Sequence, residues 1–156
     1  MMSTAALAVL LAVASTACDD GIDSAPIGAE GLTGEWANEA GTRFAFRADG
    51  SVAGTGLRGS LPRSTACPDS WSGAWAFLGI EVPGGGVPPE NPDGSLAAGD
   101  TIDLTAPGAG AGCSVLLGVG RDEAGFALCL IEDPGRSCTG RELLRAAGRT
   151  EAESPR

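Results

Sequence analysis

A chain of 156 residues with 20 acidic and 10 basic residues carries a net charge of −10 and has no basic cluster, which excludes phosphate-driven nucleic-acid binding. All the basic residues are Arg; His, Lys and Tyr are absent. That removes Ser-His-Asp and Cys-His catalysis, His-ligated zinc, Schiff bases and Ser-Lys dyads, leaving carboxylate pairs as the main acid–base chemistry.

The chain opens on a charge-free apolar core, residues 5–14. A bilayer-spanning helix needs about 20 apolar residues, so this run reads as the core of an export signal. Small residues follow, then Cys18, Asp19 and Asp20. Ser15-Thr16-Ala17-Cys18 resembles a bacterial lipobox, in which the cysteine receives diacylglycerol. Cysteine arithmetic favours that reading over ordinary cleavage after Ala14. Of five cysteines, lipidation of Cys18 leaves an even set: Cys67, Cys113, Cys129 and Cys138. The division that follows is a signal peptide over 1–17, a lipidated N-terminus and tether over 18–33, a β domain over 34–145 and a flexible tail over 146–156. The expected location is the outer face of the cell membrane, held by lipid; secretion is the alternative. Because the first mature residues are acidic, the lipid rather than the protein surface must do the anchoring.

Residues 34–38 open the folded part. Residues 42–48 alternate, with Phe44 and Phe46 on one face and Arg43, Ala45 and Arg47 on the other, the pattern of a half-buried strand. Asp49-Gly50 is a hairpin turn signal, and 51–57 returns, weakened by Gly54 and Gly56. The run 70–78 sets Trp71, Gly73, Trp75 and Phe77 on one face and Ser72, Ala74 and Ala76 on the other. A Pro/Gly-rich loop spans 82–95. Further strands are expected at 101–105, 113–119, 126–131 and 138–144, separated by turn residues. Eight short strands without a helix predict an all-β antiparallel meander, closed into a small barrel to remove its edges, or else a two-sheet sandwich.

Cys129 and Cys138 flank the turn at Asp133-Pro134. Centring a hairpin there puts them opposite each other, which predicts a Cys129–Cys138 disulfide. Cys67 and Cys113 then pair by elimination.

Gly34-Glu35-Trp36, with Asn38, Gly41-Thr42-Arg43-Phe44 and the turn at Ala48-Asp49-Gly50-Ser51, resembles the first hairpin of avidin-like and lipocalin-like barrels. In those barrels the Trp of Gly-x-Trp plugs one end. The resemblance implies a barrel, and it aligns Asn38 and Thr42 with first-hairpin positions that contact biotin in avidins. The later aromatic walls of avidins have no counterpart, since the chain has no Trp after Trp75. Ser72-Gly73-Ala74-Trp75 and the Asp133-Pro134-Gly135…Cys138-Thr139-Gly140 ending resemble a group of small exported lipoproteins of high-GC Gram-positive bacteria, a group without a settled function.

The candidate ligand-lining residues are therefore Trp36, Asn38, Thr42 and Trp75, set against the usual place of Trp in the core of a small barrel. Asp49-Gly50-Ser51-Val52 lacks the further carboxylates of a calcium loop. Asp122-Glu123 and Glu132-Asp133 are sequence neighbours, not carboxyls facing each other across a cleft. No catalytic residue, metal or cofactor is assigned. The expected function is a membrane-anchored, non-catalytic β domain that binds a small ligand or an envelope protein. A loop-mediated inhibitor is the second reading, and a carboxylate-dependent hydrolase the least favoured.

Overall fold

The structure is a computed structural model that describes residues 22–60, 67–79, 86–106, 113–131, 138 and 140–148. The signal segment, Cys18 and the 132–137 turn lie outside the described residues, as do 107–112.

Eight antiparallel strands close into a barrel. They are β3 (Gly34–Ala37), β4 (Arg43–Phe46), β5 (Ser51–Thr55), β6 (Ser70–Gly79), β8 (Thr101–Thr105), β9 (Ser114–Asp122), β10 (Gly125–Ile131) and β11 (Leu143–Ala146). Each barrel strand pairs with the next in sequence, and β11 returns to β3 through Arg145↔Ala37 and Ala146↔Trp36. Closure pairs every strand, the device that removes exposed edges. Three short strands lie outside the ring: β1 (Asp23–Ser24) on β9, and β2 (Ile27–Gly28) on β7 (Ala98–Gly99). Two single-turn helices complete the description, α1 (Ala29–Leu32) and α2 (Leu57–Ser60).

The ladder registers define two rims. The upper rim carries the β3–β4 turn, α2 after β5, and the starts of β6, β9 and β11. The lower rim carries the β4–β5 and β9–β10 turns, α1, and the loop between β6 and β7.

Alternation decides what faces inward. Trp36, Phe44, Gly54 and Trp71 form one row across four strands, each opposite the next. Phe77, Ile102, Leu117 and Leu130 form another. Rings run in contact from Trp71 through Phe44, Phe46 and Trp75 to Phe77, with centroids 5.3–6.2 Å apart. An eight-stranded barrel has an interior wide enough for its side chains or for one small ligand, and this column of aromatics runs along it. The glycines on the inner face are what let it fit. A Cβ on Gly73 would lie 1.9 Å from the Thr105 carbonyl oxygen, so β6 and β8 approach this closely only with glycine there.

Both disulfides are present, Cys67–Cys113 and Cys129–Cys138. The hairpin that led to the second is placed differently, however. Cys129 lies opposite Leu143, not Cys138, and the last strand runs Leu143–Ala146 rather than 138–144. Cys138 sits in the connection, and its bond ties that connection back to β10. The barrel also extends past residue 145. Ala146 pairs with Trp36, and the Ala147 N–H donates to the Glu35 carbonyl at 2.7 Å.

A larger correction concerns the stretch expected to be a tether. From Ile22 it packs on the barrel. Asp23 and Ser24 extend the sheet along β9, and Ile27 and Leu32 are buried in the core. The Leu32 carbonyl accepts the Trp36 indole N–H at 2.8 Å. Lone apolar residues among Gly, Pro and Asp show no period, and tertiary contact alone gives them a place.

Candidate functional site

The candidate ligand-lining residues divide between the two rims. Trp36 is 2% exposed, held by its bond to Leu32 and packed in the core. Trp75 is half-buried at the lower rim, where its indole N–H donates to the Arg47 carbonyl at 3.0 Å and its backbone N–H to that of Gly50. Both indole N–H groups are thus spent on the chain's own carbonyls, and Trp75 sits within the aromatic column between Phe46 and Phe77.

Asn38 and Thr42 do come together, at the upper rim. The Asn38 Oδ1 accepts the Thr42 backbone N–H at 3.0 Å, closing the β3–β4 turn. The Asn38 amide nitrogen donates to Ser60 Oγ at 2.7 Å and to the Arg141 carbonyl at 2.6 Å. Thr42 Oγ1 donates to the Gly56 carbonyl at 2.8 Å and lies 2.6 Å from Ser60 Oγ. Since the Thr42 proton goes to Gly56, Ser60 is the donor in that last bond. Protons therefore point one way along Asn38, Ser60, Thr42 and Gly56. Thr42 and Ser60 are buried, where an unpaired hydroxyl would cost about 1–3 kcal/mol. The network satisfies them internally and joins the first turn, α2 and the 140–142 connection. Ser60 was not legible from sequence, because α2 is one turn long and has no periodicity.

One buried polar atom stands apart. Among the described residues, Trp71 Nε1 is a buried side-chain nitrogen with no hydrogen-bond partner. Its surroundings are the ring of Phe44 and the slot left by Gly54.

A groove of about 200 Å³ lies not in the barrel but on its outer face. Ala37, Ala45 and Ala53 make its floor, and Glu35, Arg43, Thr55 and Ala147 stand around it. Small outward residues on three adjacent strands produce the dent. Glu35 and Arg43 are exposed and place opposite charges on the same face. Arg47, on that face too, is likewise exposed.

The carboxylates with altered acidity serve turns and one surface pair. The Ser51 hydroxyl and amide hold the Asp49 carboxyl below its ordinary value, and Ser95 does the same for Asp93. Asp122 is held down by its hydrogen bond and ion pair with Arg145. None of these has a second carboxylate facing it across a cleft in the way glycoside hydrolysis requires. Among the described residues, no three His, Cys, Asp or Glu gather where a metal ion could be held.

Compared with protein-family models, curated proteins and solved structures, the chain finds no match.

Proposed function

We propose that this protein is an exported lipoprotein, anchored through diacylglycerol on Cys18, whose β domain is a non-catalytic binding module that engages an envelope protein on the outside of the barrel. The observation that carries the choice between ligand and protein is how the candidate ligand-lining residues spend their polar groups. Trp36 and Trp75 give their indole N–H groups to the chain's own carbonyls, and Asn38 and Thr42 direct their polar atoms at the chain's own groups. A pocket for a small ligand is largely pre-formed and concave, with convergent polar groups left free. Here the polar groups of the four candidates are taken, Trp71 Nε1 being the buried nitrogen without a partner among the described residues, and a groove lies on the outer wall beside Glu35 and Arg43.

Native mass spectrometry of the protein purified from its own membranes tests the reading. The expected species begins at Cys18, carries diacylglycerol and is four hydrogens short for two disulfides. It should hold no further mass that leaves on unfolding. An unlipidated chain would overturn the anchor. A small molecule released on unfolding would overturn the choice of an outer partner.

A further inference from the structure

The packing of residues 22–33 leaves little chain between Cys18 and the fold. The Ile22 side chain covers Gly120, where a Cβ would meet it at 2.6 Å, and Asp23 is opposite Arg121. Four residue steps separate Cys18 from Ile22, about 14 Å at full extension. The β1 strand runs antiparallel to β9, so the chain before it leaves towards the β9–β10 turn, at the lower rim. The nine residues of β9 extend roughly 30 Å, or about 20–25 Å along a barrel axis after ordinary strand tilt. A link of that length cannot reach around to the other rim.

We propose that the lower rim is a membrane-facing surface, held against the lipid bilayer by the short link from Cys18, with the upper rim presented away from it. This rests on the lipid anchor proposed above. Two exposed large apolar side chains lie at the lower rim, Leu78 at the end of β6 (58% exposed) and Val87 in the loop after it (88% exposed). They give the rim uncharged contacts for the bilayer interface. Exposed acids there, among them Asp49, Glu90, Asp93 and Glu123, outnumber Arg47 and Arg121, so attraction to anionic headgroups is not what holds it. The short link does. One consequence is that residues 86–95, the described part of the Pro-rich loop, face lipid. An envelope protein then meets the upper rim or the outer wall, including the groove beside Arg43.

The test couples the protein to a bilayer by chemistry that does not depend on natural lipidation. The described fold begins at Ile22, so a chain starting at Cys18 retains all of it. With the other cysteines in disulfides, the Cys18 thiol is joined to a maleimide lipid in phosphatidylcholine nanodiscs doped with a gadolinium-chelate lipid. Paramagnetic relaxation is then read at backbone amides. Amides of 91–95 and 123–125 should relax at least about tenfold faster than those of 57–60 and 140–142, because the rims are roughly 20–25 Å apart. A flexible 12-residue Gly-Ser insertion between Asp19 and Asp20 should collapse that gradient. Equal relaxation at both rims, or a reversed gradient, would overturn the proposal. A gradient unchanged by the insertion would show that the link does not set the orientation, and would overturn it too. Failure of the anchor itself would appear separately, as an unlipidated Cys18 in protein from native membranes.

Discussion

The indole of Trp71 occupies the space that a side chain on Gly54 would need: a Cβ there would lie 2.8 Å from the ring and 3.0 Å from Phe44. The two residues are opposite each other on β5 and β6, with Phe44 on the far side of Gly54. A strand glycine, ordinarily a weakness, here admits the largest side chain of its row. Gly54→Ala should therefore destabilise by about 1–3 kcal/mol, the usual cost of overpacking a filled core. Urea midpoints measure it. Trp71→Leu in the same chain should recover part of the loss, because the atoms in conflict, the indole Cε2 and Nε1, lie beyond the reach of the shorter side chain. Additive losses would mean that the two sites do not share this space.

The disulfides should contribute unequally. Cys67–Cys113 closes a separation of 46 residues and Cys129–Cys138 one of 9. On loop entropy alone, the first is worth about 4 kcal/mol and the second about 2.5 kcal/mol. Paired Ser replacements, compared by urea unfolding, should show the larger loss for Cys67/Cys113. The reverse order would mean that fastening the 140–142 connection to β10 matters beyond the closed loop.

Much of the barrel was legible because its inner face alternates without interruption. Phe44 and Phe46, then Trp71 to Phe77, then Ile102 and Leu104 each set a register that the structure keeps. The last strand is Leu143–Ala146 rather than 138–144, because the apolar pair Leu143-Leu144 opens it instead of closing it. It continues through Arg145 and Ala146 by pairing with Ala37 and Trp36, more than 100 residues away, which no local pattern reports. The right disulfide followed from the wrong hairpin, since a bond needs only two cysteines within reach, not opposite positions on a ladder. At the upper rim, the resemblance singled out Asn38 and Thr42 but not Ser60 or Arg141, which turn them into a closed network. Those partners lie 22 and 103 residues from Asn38, beyond the reach of any local pattern.

The Asp122–Arg145 pair gives a signed pH dependence. Arg145 lowers the Asp122 pKa in the native state, so the unfolded chain binds that proton more tightly. The contact's contribution is complete above the ordinary carboxyl value of 3.8 and is lost as pH falls through the lower native one. With the two side chains 34% and 32% exposed, water and salt screen the pair and hold its worth to about 1 kcal/mol or less. Asp122→Asn should lower the urea midpoint slightly at neutral pH and converge with the parent as acid protonates Asp122 in the folded as well as the unfolded chain. A difference that grew towards acid would contradict the sign.

Leu32 separates a tether from a plug. It is fully buried, it belongs to α1 at the lower rim, and its carbonyl fixes the Trp36 indole. If residues 22–33 were only a spacer, shortening this side chain would change nothing. As part of the core, Leu32→Ala should cost about 2–5 kcal/mol. Glu30→Ala, on the exposed side of the same turn, should fall within about 0.5 kcal/mol of the parent. Tryptophan fluorescence during urea unfolding reads both variants, and Trp36 should move into water together with the rest of the barrel. A Leu32→Ala protein as stable as the parent would detach the segment from the core. It would also lengthen the link to Cys18 by about ten residues, enough to let the barrel turn either rim to the membrane.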